Sequence, residues 1–243
     1  ASGGANSGWG FVFEQRDNAA DTTRELRTNF MGPGQLTGPE LSVLAEANVD
    51  QHDAAIFGSM LDRTLQSPVG GSVLPTGMNE GYNVAWVSTH TDGVDGVLDA
   101  GYGRIMLQRF EAVLDPLGNP GAPVAGGIDG IVGLDNVYGT GDAAVWVGDE
   151  DANGVGGIFG RNPSTSSLHT FETGIVWIAK DGAGEKVMFR AYDDLGQVIN
   201  YPAGANMSVG FPVAAGTNAH IVSAGAVNFG IVWITADATS PSG

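Results

Sequence analysis

The chain contains no cysteine, so neither a disulfide framework nor a thiolate metal site contributes to it. Positive charge is scarce: ten Lys and Arg stand against 27 Asp and Glu, a formal charge of −17. That imbalance repels a phosphate backbone and an anionic membrane surface, which argues against nucleic acid as a partner and suits cations. Only 15% of residues are charged, and runs of Ala, Glu, Lys and Leu that would build long helices are absent. No segment reaches the roughly 18 apolar residues of a membrane span. The sequence opens on Ala1-Ser2-Gly3-Gly4 without an initiator Met or a signal-like apolar run. Such a start fits a processed secreted product, an excised fragment or an expressed piece equally well.

Glycine, by contrast, is abundant at 39 residues, and 42% of the chain is hydrophobic. Together these imply a turn-rich chain able to bury a substantial core, and the expectation is a single all-β domain over residues 1–243. The clearest element is Gly174 to Val198. In it Ile175, Trp177 and Ala179 share one face of an extended run and Val176 and Ile178 the other, so both faces are expected to be covered. Asp181-Gly182 supplies turn chemistry before a second run, Val187 to Tyr192.

The same order of parts recurs. Trp9 to Phe13 with Leu26 to Met31 form one copy, and Tyr82 to Val87 with Ile105 to Phe110 another. Ala143 to Val147 reads as a partial copy and Gly230 to Ile234 as an unfinished one. Between them, Glu40 to Leu65 is compatible with short helical turns or with degenerate strands. Trp177 and Trp233 lie 56 residues apart (233 − 177), enough for a four-stranded unit. Trp86, Trp146, Trp177 and Trp233 read as core wedges between neighbouring sheets, with Trp9 the one expected to be exposed. A unit that cannot bury both faces alone must stack on its neighbours. The expected architecture is therefore a β-propeller of about four or five partly degenerate blades, with a β-sandwich of several hairpins as the alternative.

Three features carry a family resemblance: Val84-Ala85-Trp86, Gln108-Arg109-Phe110 with the turn Leu117 to Pro120, and Val187 to Gly196. This pattern resembles the repeats of large secreted bacterial proteins related to the hemolysin-type calcium-binding, or RTX, adhesins. The resemblance implies an extracellular or cell-surface, β-rich module and transfers no catalytic residues. The Gly-Gly-x-Gly-x-Asp nonapeptides of that family are absent from this sequence.

Asp149, Asp151 and Asn153, followed by Gly154, reproduce positions 1, 3, 5 and 6 of an EF-hand-type loop, whose oxygens converge on one hard cation. Position 12 is Gly160, which supplies no bidentate carboxylate, so bound calcium there requires a further ligand or water. A solvated turn has the same composition. The carboxylates of the Thr91 to Asp99 link fit no loop template and read as a flexible connection. His52, His90, His169 and His220 are scattered without zinc-binding spacing. His52-Asp53 has the makings of an oriented base, but no Gly-x-Ser-x-Gly nucleophile accompanies it. Gly101-Tyr102-Gly103-Arg104 precedes a strand-like run, so it forms no phosphate-cradling helix terminus. Two functions fit this sequence. One is a non-catalytic extracellular scaffold that presents loops to a protein or glycan surface or to copies of itself. The other is a secreted polysaccharide hydrolase or lyase using carboxylates in a propeller funnel.

Overall fold

The computed structural model describes residues 9–16, 20–31, 38, 40–43, 49–59, 81–90, 99–111, 124–125, 145–148, 158–168, 172–181, 184–192, 198–199, 210–224 and 228–235, and the regular elements among them are all β-strands. A first antiparallel sheet is formed by β1 (Trp9–Gln15), β2 (Glu25–Met31) and β3 (Leu41–Ser42). A second contains β4 (Gln51–Ser59), β5 (Gly81–Ser88), β6 (Arg104–Glu111) and β7 (Val124–Ala125), with β8 (Val145–Trp146) added along β6. The third contains β9 (Gly160–Ser167), β10 (Thr173–Asp181), β11 (Gly184–Tyr192) and β12 (Val198–Ile199), with β13 (Phe211–Ala215) added along β11. β14 (Thr217–Ser223) and β15 (Phe229–Ile234) pair as the fourth. None of these sheets closes on itself among the described residues.

The expected alternation of β10 places its two faces in two different cores. Ile175, Trp177 and Ala179 meet Ala85, Val87, Ile105 and Leu107 of the second sheet. Val176 and Ile178 meet Ala219 and Ile221 of the fourth. One layer earlier, Val84 and Trp86 on the other face of β5 pack with Leu26, Val43 and Val12 of the first sheet. The four sheets are thus layered in chain order, with an apolar core at each of three junctions. Burial of each large side chain there contributes about 1.5–3 kcal/mol.

The junctions are copies of one another in backbone detail. Asp53, Asn162 and Asn218, each near the start of the leading strand of its sheet, have φ values of 52°, 49° and 49°. At each of them the pairing with the next strand slips, which marks a β-bulge. Asn and Asp are the side chains that best tolerate this left-handed conformation. Two residues before each bulge, a backbone N–H crosses to the preceding sheet: Gln51 donates to the Arg24 carbonyl (3.0 Å), Gly160 to Gly103 (2.8 Å) and Gly216 to Glu185 (3.4 Å).

These bulges explain why Glu40 to Leu65 is ambiguous in sequence. Part of it is β4, whose slip between His52 and Ala55 breaks the two-residue alternation and lets Ala54 and Ile56 face the first core. The tryptophans divide. Trp86 and Trp177 are fully buried at matching positions, paired with Met106 and Met188. Trp146 is not their equivalent: it lies in the added strand β8, opposite Met106, with the Arg104 guanidinium 4.4 Å from its ring centre. Trp233 holds the matching position in β15 but is 40% exposed. The side chain of Trp9 lies outside the described residues.

Candidate functional site

The described polar side chains concentrate where consecutive sheets are joined. At the second junction Gly103 and Gly160 exchange backbone hydrogen bonds of 2.9 and 2.8 Å. Their neighbours Tyr102 and Arg161 are thereby brought together, and β11 starts beside them with Glu185. Arg161 Nη2 lies 2.6 Å and Nε 2.9 Å from Glu185 Oε1, and Nε also donates to the Tyr102 hydroxyl at 3.1 Å. That hydroxyl in turn donates to Glu185 Oε1. At the exposed edge of the group Lys180 pairs with Asp99 at 2.6 Å.

The ionisation of these groups is set by their contacts. The Tyr102 hydroxyl, and then Arg161, hold the Glu185 carboxyl below its usual range, against an opposing effect of burial. Burial and the neighbouring Glu185 carboxylate push the Tyr102 phenol upward. At neutral pH the cluster is therefore carboxylate, guanidinium and neutral phenol, each satisfied by the others. A general acid would need a raised carboxyl; Glu185 is shifted the other way. The arrangement works as a clamp between sheets.

A second clamp spans the first junction. Arg24 reaches Asp50 through Nε (2.9 Å) and Nη2 (2.5 Å), and its own N–H donates to Asp50 Oδ1 at 2.7 Å. Nη1 extends to Glu14 at 3.2 Å, and Glu14 Oε1 accepts the Asp53 N–H at 2.8 Å, which fixes the bulge. Burial would raise the Asp50 carboxyl, but the Arg24 hydrogen bonds outweigh it and hold the group low. Deeper in, Asn83 Nδ2 donates to Ser167 Oγ (2.8 Å) and Thr173 Oγ1 (3.1 Å) across the second junction.

No family model, no curated protein and no solved structure matches the chain.

Asp149, Asp151 and Asn153 lie outside the described residues, as do His169 and most of the Thr91 to Asp99 link. The loop that carries the three candidate ligands is nevertheless drawn together at its base, where the Ile158 N–H donates to the Gly148 carbonyl at 2.9 Å. His52 is buried with Nδ1 3.2 Å from Asp53 Oδ2, His90 is half-buried, and His220 is exposed. Among the described residues no group of three His, Asp or Glu side chains is placed to hold a metal ion. Sequence reasoning missed both clamps. Their one linear signal is adjacency: Arg161 immediately precedes the bulge residue Asn162, and Asp50 lies three residues before Asp53.

Depressed carboxyls make the clamps sensitive to acid. A group held below its unfolded value contributes stability that is present above that value and lost as pH falls through the folded one. For Glu185 the ordinary value is 4.5 and for Asp50 it is 3.8. The melting-temperature gap between the parent and Glu185→Gln is therefore expected to be widest at neutral pH and to narrow below pH 4.5. Because the pair is partly exposed, the gap reflects at most about 1 kcal/mol. A gap that does not change with pH would show that ionisation of Glu185 contributes nothing.

Proposed function

We propose that the chain is a non-catalytic extracellular scaffold, surface-associated or self-assembling, which presents loops to a protein or glycan partner. The observation that carries this reading is the repetition of one junction, with the same bulge, backbone bond and apolar layer, three times along the chain. Rigid stacks of this kind hold loops in fixed relative positions. The described charged side chains of the two clamps are engaged with each other, which supports a load-carrying role for them. The resemblance to repeats of secreted adhesin-related proteins supports the extracellular placement.

The finer architecture belongs to the same proposal. Face-to-face layering of open sheets supports the sandwich-like alternative at least as well as a propeller, whose ring would also bury the outer faces of the first and last sheets. Calcium, held through Asp149, Asp151 and Asn153 with a further ligand, would order the loop whose base Gly148 and Ile158 draw together. A turnover screen against soluble polysaccharides is expected to detect no product. Activity abolished by a single carboxylate substitution would replace this reading with that of a hydrolase or lyase. In calorimetric titration, calcium binding is expected in the parent and is expected to be lost in Asp149→Ala and Asp151→Ala; no heat in the parent, or equal heat in all three, removes the cation.

A further inference from the structure

The last sheet has an apolar outer face on which no described residue packs. β10 and β15 share the pentapeptide Gly-Ile-Val-Trp-Ile, at 174–178 and 230–234. In β10 the residues that face the following sheet, Val176 and Ile178, are both 0% exposed. Their counterparts Val232 and Ile234 are 61% and 58% exposed, and Val222 on the neighbouring strand is 52% exposed. The glycine that opens the motif tells the same story. A Cβ on Gly174 would come within 2.7–2.9 Å of Ile221 and Phe229 of the fourth sheet, and one on Gly10, at the matching place in β1, within 2.9–3.2 Å of Tyr82 and Ile56 of the second. At Gly230 the nearest atoms all belong to Val222 and Ala224 on the neighbouring chain segment. The glycine that admits a further sheet is present where no described residue packs on it from beyond.

The opposite end of the stack shows the complementary half. Phe11 and Phe13 of β1 stand at the positions of Ile175 and Trp177, which face the preceding sheet in the third layer. Phe11 is 41% exposed. Neither β14 nor β15 contains an Asp or Glu, although the chain has 27 of them, and Arg27 on the Phe11 side of β2 is balanced by Glu25. Two such faces approach without the repulsion that a charge of −17 imposes elsewhere.

Resting on the scaffold reading, we infer that the outer face of β14 and β15 binds the outer face of β1 and β2 of a second copy, head to tail. The contact continues the sheet-on-sheet interface already formed three times within the chain. It is heterologous, so each added copy leaves one face of each kind open and the product is a linear series.

Sedimentation equilibrium of the parent should show a mass that rises with concentration through multiples of the chain. Val232→Lys and Phe11→Lys should each remain single chains, since each retains one working face. Mixed in equal amounts, they should give a dimer and nothing larger, because the two working faces meet and the two blocked ones remain. Should Phe11→Lys lose the native far-UV spectrum, Asn29→Lys, opposite Phe11 on β2, takes its place. Self-association of either variant alone would overturn the head-to-tail arrangement. A parent that stays a single chain at every concentration would overturn association itself. A single-chain parent without polysaccharide turnover removes only the stacking, whereas turnover removes only the scaffold reading, so the two fail separately.

Discussion

Trp177→Ala is expected to lower the unfolding free energy by about 3–5 kcal/mol, the range for deleting a fully buried aromatic side chain, while Trp233→Ala costs less than half as much. Both indoles occupy the same position in the same five-residue motif, so local propensity cannot separate them. Burial does: Trp177 is 0% exposed and Trp233 40%. Trp177 also fills space that its surroundings leave for it, since a Cβ on Gly160 would overlap its ring and one on Gly210 would lie 2.6 Å from it. Urea titrations with unchanged slope would measure both losses as shifts in midpoint. Equal losses would mean that the layered core does not distinguish an interior sheet from a terminal one.

Gly103→Ala should cost toward the upper end of the 1–3 kcal/mol typical of overpacking, or about 3 kcal/mol. The added methyl would be forced into the Ser88 carbonyl oxygen, closer than real Cβ atoms approach, with the Val87 side chain also in the way. A backbone oxygen inside a paired strand cannot swing aside as a side chain can. Gly103 also exchanges both of its backbone hydrogen bonds with Gly160, so a shift in the chain there loosens the seam between the second and third sheets. Gly230→Ala is the matched control. Its Cβ would lie 3.3 Å from the Val222 side chain, which is half exposed and has room to give way, and stability should hold or improve slightly. Denaturation of the two variants side by side checks the difference, and an undisturbed Gly103→Ala would refute the tight seam.

Strand content and the faces of the central strands were legible in the sequence because both depend on local alternation. Val176 and Ile178 opposite Ile175 and Trp177 is a pattern that survives any arrangement covering both sides. The leading strands were harder to read. A bulge at Asp53 inserts an extra residue and reverses the parity of the rest of β4, so His52 and Ala55, opposite Val87 and Ala85, share one face while Ala54 and Ile56 take the other and meet the first core. Trp146 misled for another reason: Val-Trp-Val looks like a central strand, and only its pairing with Met106 shows that it occupies an added strand. The clamps were out of reach. Tyr102, Arg161 and Glu185 are 59 and 24 residues apart in sequence, and nothing short of the layering places them within hydrogen-bond distance.

The crossing backbone bond has one more consequence. It enters the third sheet at Gly160 and leaves at Glu185 for Gly216, so the stretch from 160 to 215 begins and ends on the same kind of border. A gene duplication spanning that stretch would insert a layer whose two margins already match what they meet. Length in such a chain can change by whole modules, without any new contact having to evolve first.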